Sequence, residues 1–222
     1  MVNEPQANGR AVFPPSLMII VGPVLLALCV LALRQGNTEF VAYALALVLE
    51  VGFVLLLHRR VGLTTPTLWC LAVWAILHMA GGTVSIPETS PLLDEHATKP
   101  VLYGVRLHEW TPRYDQIVHA FGFFAATLAA WEAIVSFMHP NHRPGIGQAL
   151  AAALIGMGLG AVNEVIEFTM TLVLPETGVG GYTNTGWDLV SNTVGSIAAG
   201  AVCFLRPGVS RGSQPGSSAQ TR

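Results

Sequence analysis

The chain has 222 residues, of which 52% are hydrophobic and only 11% are charged, and its mean hydropathy is +0.54. Soluble domains carry about a quarter charged residues, so this composition indicates a membrane protein. The formal net charge of −2 and the lack of a basic run argue against nucleic acid as a partner. Three cysteines stand singly in apolar stretches, without the spacing of a metal site or a disulfide framework: Cys29, Cys70 and Cys203.

Six apolar segments are close to the length that a membrane-spanning helix needs, about 20 residues. The first is longer than the core of a secretory signal and is predicted to be retained. The segments cover 12–33, 40–57, 66–85, 115–138, 147–174 and 187–205. We therefore predict an all-α, polytopic helical membrane bundle with one domain over 1–206. The segment 207–222 is rich in Gly, Ser and Pro and is predicted to be a disordered cytoplasmic tail.

The positions of Lys and Arg predict how this bundle is oriented, because short cytoplasmic loops are enriched in both. The first connection contains only Arg34, and the connection between the fifth and sixth spans contains neither residue type. The long loop 86–114 carries both signs of charge. Both termini are predicted to be cytoplasmic and loop 86–114 extracytoplasmic. The cytoplasmic side would then hold Arg59, Arg60, Arg143, Arg206 and Arg211.

Polar residues occur in each of the last four spans, at positions that lie toward the predicted extracytoplasmic end. At 100° per residue, those of the last three spans share helix faces with Gly and Ala, and on such faces membrane helices pack closely. Their side chains are therefore predicted to line one cavity and to be shielded from lipid. Span by span, the residues are His78; Asp115 and His119; Asn163, Glu164 and Glu167; Asp188 and Asn192.

Carboxylates inside a membrane need something that offsets their charge. One ionised carboxylate near mid-bilayer costs about 2.5–3.5 kcal/mol on insertion scales, and spans three to six contain no Lys or Arg. Protons, a bound cation or water in the cavity would each reduce this cost. Imidazole beside carboxylates suits Zn²⁺ or Mn²⁺, whereas an oxygen-only subset suits Mg²⁺ or Ca²⁺. The candidate ligands of a divalent metal ion are Asp115, His119, Glu164, Glu167 and Asp188.

Several of the polar residues also have purely structural interpretations. Asp115 and Asp188 lie where a helix is predicted to begin, so either could be an N-cap that accepts hydrogen bonds from backbone N–H groups. His78 could be a hydrogen-bonded core histidine, and Glu50 in the second span either a second proton site or a structural hydrogen-bond partner. Glu132, near the inner end of the fourth span, is predicted to reach toward the lipid headgroups.

Three short motifs resemble those of a known family: YDQIVH opens the fourth span, NEVIEF lies in the fifth, and NTGWDLVSNTVG opens the sixth. The pattern is similar to that of the YjdF-like bacterial inner-membrane proteins and, more loosely, to the VanZ-like group, over about 114–200. The resemblance implies a bacterial cytoplasmic (inner) membrane location and supplies no reaction. The motif positions that it implies are Asp115, His119, Glu164, Glu167, Asp188, Asn192 and Gly195.

The function predicted from these residues is that of a small membrane enzyme acting at the outer leaflet, with membrane lipid around it. Acid–base catalysis would fall to His119 with Glu164 or Glu167, while Asp115 and Asp188 orient the histidine or hold a cation. Hydrolysis or transfer on a lipid-linked or phosphorylated substrate suits such a cavity. Two alternatives stay open: a proton- or ion-coupled transporter or channel, and a non-catalytic membrane assembly partner whose polar cluster fixes helix register.

Overall fold

The computed structural model describes residues 13–139 and 142–205, and this part of the chain is all-helical, which confirms the predicted fold class. Arg206, Arg211 and the predicted tail 207–222 lie outside the described residues. A short 3-10 helix, Leu102–Gly104, lies in the long loop between the third and fourth helices. The six helices are α1 (Pro15–Arg34), α2 (Thr38–Val61), α3 (Thr65–Thr83), α4 (Tyr114–Phe137), α5 (Ile146–Val173) and α6 (Tyr182–Leu205).

Five of the six helices are long and apolar enough to cross a membrane, and the exception is α3.

Local chemistry accounts for several helix ends. Pro15 occupies the first turn of α1, where its missing N–H removes no hydrogen bond. The side chain of Asn37 accepts a hydrogen bond from the backbone N–H of Phe40 over 3.2 Å and so caps α2. Gly62 ends α2 in the left-handed conformation, at a φ of 71°.

Glu132 holds the start of α3 through hydrogen bonds, and the expectation that this side chain reaches toward the lipid headgroups stays a prediction. One carboxylate oxygen accepts from the backbone N–H of Thr64 over 2.7 Å. The other accepts from the hydroxyls of Thr64 and Thr67, each over 2.6 Å. The physical reason is that the first N–H groups of α3 lack partners within the helix, and the carboxylate of the neighbouring α4 satisfies one of them.

Helices α4, α5 and α6 form the most closely packed part of the bundle. At Gly195 the backbone of α6 lies so close to α4 that an added Cβ would overlap the carbonyl group of Ala120. At Gly160 an added Cβ would lie 2.8 Å from the Cβ of Asn192. Small residues therefore bring three helix backbones together, and the polar residues of their facing sides meet as a result.

The residues between α3 and α4 fold over one end of the bundle, which we call the loop end: α1, α3 and α5 end there, and α2, α4 and α6 begin there. Isolated β-bridges join Ser85 to Val101 and Leu93 to Val105 within this segment. Glu39 lies at the start of α2, is 2% exposed, and connects this segment to α2. Its Oε2 lies 2.9 Å from Nζ of Lys99 and accepts from the backbone N–H of Gly178 over 2.6 Å.

Candidate functional site

Helix α6 begins at Tyr182, five residues before the predicted start of the sixth span at 187. Asp188 therefore lies in the second turn of the helix and Asn192 about one turn further on. The N-cap of α4 is Arg113, and Asp115 is the second helical residue. The interpretation of Asp115 and Asp188 as N-caps is accordingly wrong, because both residues have helical neighbours on their N-terminal side.

His119 is the centre of the polar cluster, and it is only 5% exposed. Its Nε2 lies 3.5 Å from Oδ1 of Asp115 and 3.6 Å from Oε1 of Glu167. Its Nδ1 lies 3.4 Å from Oε1 of Glu164 and 3.1 Å from Oδ1 of Asn192. One imidazole ring thus contacts side chains from α4, α5 and α6, which the sequence could only place on separate helix faces.

The amide of Asn192 fixes which ring nitrogen carries the proton. Its Nδ2 donates to Oε1 of Glu164 over 3.2 Å, so its Oδ1 faces His119 as an acceptor only. When the ring is neutral, Nδ1 of His119 donates to Asn192 and the lone pair lies on Nε2, which faces Asp115 and Glu167. A metal-binding histidine is commonly oriented in this way by a hydrogen bond from its other nitrogen.

Two further amides orient the remaining carboxylates. Asn163 donates to Oε1 of Glu167 over 2.8 Å. Asn184 donates to Oδ2 of Asp188 over 2.6 Å and lies 3.4 Å from Oδ2 of Asp115. The sequence interpretation missed Asn184, because residues 182–186 were assigned to a loop. Its spacing of one helical turn before Asp188 is the signal that would have found it.

Two carboxylate oxygens in this cluster are buried and have no hydrogen-bond partner among the described residues: Oδ1 of Asp188 and Oε2 of Glu164. Asp188 is fully buried and Glu164 is 5% exposed. A buried, unpaired carboxylate oxygen is costly unless a proton or a cation satisfies it. The cluster is therefore incomplete as a set of protein side chains alone.

Two overlapping triads bring ligand atoms within 4.8 Å of one another: Asp115, His119 and Asp188, and His119, Glu164 and Glu167. Ligand atoms about 2.1 Å from one tetrahedral zinc ion are about 3.4 Å apart, close to the distances around His119. Because the lone pair lies on Nε2, the first triad is the better candidate for a divalent ion. Glu164 then lies on the Nδ1 side of the ring.

His78 lies apart from this cluster and forms its own contacts at the loop end. It stacks on Trp74 with ring centroids 5.5 Å apart. The Tyr103 hydroxyl is hydrogen-bonded to Nδ1 of His78 over 2.6 Å, and burial raises the pKa of this hydroxyl well above its usual range. These contacts match those of a hydrogen-bonded core histidine, and a supporting role for His78 in the site stays a prediction.

A cavity of about 50 Å³ separates the cluster from the segment that covers the loop end. Its lining includes three acidic side chains, Glu39, Asp115 and Glu167, and two basic ones, Lys99 and Arg113. His78, Tyr103 and Asn184 also line it. The sequence interpretation missed Lys99, Arg113 and Tyr103 as cavity residues, since no local pattern shows which part of a long loop covers a site.

A family described as "Predicted membrane protein (DUF2238)" matches the chain over residues 16–207. No curated protein and no solved structure matches the chain. The match covers all six helices, including the two that carry none of the predicted site residues. The resemblance to YjdF-like proteins stays a prediction, and the looser one to the VanZ-like group is not among these findings.

Proposed function

The chain belongs to the DUF2238 family of predicted membrane proteins, and we propose that it is a membrane enzyme with a divalent metal ion at its polar centre. The reaction proposed is hydrolysis or group transfer on a lipid-linked or phosphorylated substrate. The observation that carries the proposal is the environment of His119, whose ring lies within 3.6 Å of carboxylate oxygens of Asp115, Glu164 and Glu167.

Charge supports a cation at this place. Within residues 13–139 and 142–205, no Lys or Arg forms an ion pair with a carboxylate of the cluster. Four acidic side chains that meet one imidazole would repel each other in a medium of low dielectric constant. A divalent ion between Asp115, His119 and Asp188 would reduce this repulsion and satisfy the unpaired oxygen of Asp188.

The residues then have distinct roles. The metal ion would act as a Lewis acid or lower the pKa of a bound water. Glu164 and Glu167 lie beside the candidate metal triad and would accept or donate the proton, while Asn192 holds His119 in the required tautomer. Ser191 and Thr171 have no nucleophile motif around them, which favours water or a substrate hydroxyl as the nucleophile.

Elemental analysis of detergent-purified protein tests the metal centre. The wild type is expected to contain a stoichiometric divalent ion, and His119→Ala to lose it, because the change removes the nitrogen ligand. His96→Ala is the matched control, since His96 has an 82% exposed side chain on the same side of the bundle. Wild-type protein without a divalent ion, after dialysis against Zn²⁺, Mn²⁺ or Mg²⁺, would contradict the proposal.

A transporter is the second candidate, and one observation favours it. The hydroxyls of Thr127 and Ser196 are buried close to Gly156 and have no hydrogen-bond partner in the described part of the chain. They lie further from the loop end than Asn192 and would extend the polar cluster along the bundle, as a proton or ion path requires. Proton-coupled flux in sealed vesicles that Glu164→Gln abolishes would favour this function over the enzyme.

A further inference from the structure

Arg113 differs from the other two cations of the segment that covers the loop end. Nζ of Lys99 lies 2.9 Å from Glu39, and Nε of Arg106 lies 2.8 Å from Asp94. Among the described residues no carboxylate lies within ion-pair distance of Arg113, on which Asp115 acts only at longer range, and the buried Nε of Arg113 has no hydrogen-bond partner. A buried donor without a partner is costly, so an acceptor that binds at Nε would stabilise this half-buried side chain.

The surroundings of Arg113 hold it in place beside the candidate metal centre. Its backbone N–H donates to Oε1 of Gln116 over 2.9 Å. The next N–H, that of Tyr114, donates to the carbonyl of Val105 over 2.8 Å. The side chain lines the same cavity as Asp115 and Glu167. The cationic group and two carboxylates of the acidic cluster therefore line the same small cavity.

We propose that Arg113 binds a phosphate group of the substrate and places it between the guanidinium and the metal ion. The inference rests on the proposed function, because the metal ion offsets the acidic cluster that would otherwise repel an anion. Arg binds phosphate in a bidentate manner with a planar set of donors, which Lys cannot reproduce. A phosphate oxygen that faces the cluster would complete the coordination of the metal ion.

The size of the cavity agrees with this ligand. A cavity needs a volume of about 10–15 Å³ to hold one water molecule, so this cavity of about 50 Å³ accommodates a group the size of a phosphate. Lys99 adds positive charge to the lining of this cavity, although Glu39 pairs with it. The phosphate can belong to a lipid headgroup or to a soluble compound, since the shared chemistry is the dianionic or monoanionic phosphoryl group.

Phosphate binding by the metal-loaded protein in detergent tests the proposal, with inorganic phosphate as the probe and calorimetry as the readout. Arg113→Gln is expected to weaken phosphate binding at least about tenfold, in line with the loss of a charge-assisted bidentate contact, and to leave the metal content unchanged. Arg113→Lys keeps the charge and is expected to be intermediate. Arg60→Gln, an exposed arginine at the opposite end of the bundle, is the control.

Two lipid conditions separate the sources of the phosphate. In nanodiscs of phosphatidylcholine containing phosphatidic acid, a lipid-headgroup site would show competition with inorganic phosphate that depends on Arg113. If phosphatidic acid does not compete and inorganic phosphate still binds, the result would assign the site to a soluble phosphorylated compound. Either result supports the proposal, and thermal unfolding of each variant shows whether it is folded.

Failure of this proposal and of the proposed function can be told apart. Metal-loaded wild type that binds no phosphate, or an Arg113→Gln variant that binds it as well as the wild type, would overturn the phosphate site and leave the metal centre intact. A wild type that takes up no metal but binds phosphate in a manner that depends on Arg113 would overturn the metal centre alone.

Discussion

Single hydrogen bonds decide how the acidic residues are presented. In each of three carboxylates, one oxygen accepts a hydrogen bond from an amide: Glu164 from Asn192, Glu167 from Asn163 and Asp188 from Asn184. For Glu164 and Asp188 the second oxygen has no partner among the described side chains. Amides that orient carboxylates and leave one oxygen available are typical of the outer shell of a metal site.

Asn192 provides the sharpest test at this scale. Asn192→Ala removes the acceptor that holds Nδ1–H of His119, and metal affinity is expected to fall about 10–100-fold, as for other outer-shell partners. Affinity is measured by competition with a chelating dye. Ser196→Ala is the control on the same helix, because its buried hydroxyl has no hydrogen-bond partner within residues 13–139 and 142–205. Equal metal affinity in both variants would contradict the role given to Asn192.

Helix contacts in this bundle depend on glycine at places where two backbones approach. Gly195 lies against the backbone of Ala120, whereas Gly158 on α5 is exposed and has nothing within 4 Å of an added Cβ. The N-terminus of α3 depends in a similar way on Glu132 of α4. Elements of this protein are therefore stabilised mainly by their neighbours, and hydropathy alone does not show which contacts matter.

Gly195→Ala is expected to destabilise the protein by about 1–3 kcal/mol, because the added methyl overlaps a backbone carbonyl that cannot move without shifting α4. Gly158→Ala, at an open position, is expected to leave stability unchanged or to raise it by up to about 1 kcal/mol through helix propensity. Unfolding in mixed detergent measures both. A Gly195→Ala variant as stable as the wild type would show that α4 and α6 are further apart than described.

The molecule as a whole is asymmetric from end to end. The predicted site residues, the cavity and the folded segment all lie at or near the loop end. The opposite end has the short connection between α2 and α3, with Arg59 and Arg60 beside it. By the charge distribution this opposite end is predicted to be cytoplasmic, so the site would open to the extracytoplasmic side.

Cysteine labelling in intact cells tests this orientation. In a background with the native cysteines replaced by alanine, His96→Cys is expected to react with a membrane-impermeant maleimide, since the side chain at 96 is exposed at the loop end. Arg60→Cys, exposed at the other end, is expected to react only after the cells are made permeable. The reverse result would place the cavity on the cytoplasmic side and exclude an outer-leaflet substrate.

Much of the fold and the central residues of the candidate site could be predicted from the sequence, because both depend on local periodicity. Apolar length predicts helices, and small residues one turn apart predict the faces that pack together. The same reasoning placed His119 and Glu164 on facing sides. It misplaced the start of α6, since the polar and glycine-rich residues around Tyr182 look like a loop. Asn184 was missed for that reason.

By itself, the sequence determined that this is a helical membrane protein and that its acidic residues face other helices. The tertiary structure decided which atoms meet: that Asn192 orients His119, that Glu39 pairs with Lys99, and that Arg113 forms no ion pair among the described residues. The physical reason is the separation of the contacting residues along the chain. Periodicity is a property of neighbouring residues, whereas these contacts join residues 60 or more positions apart and depend on how the helices cross.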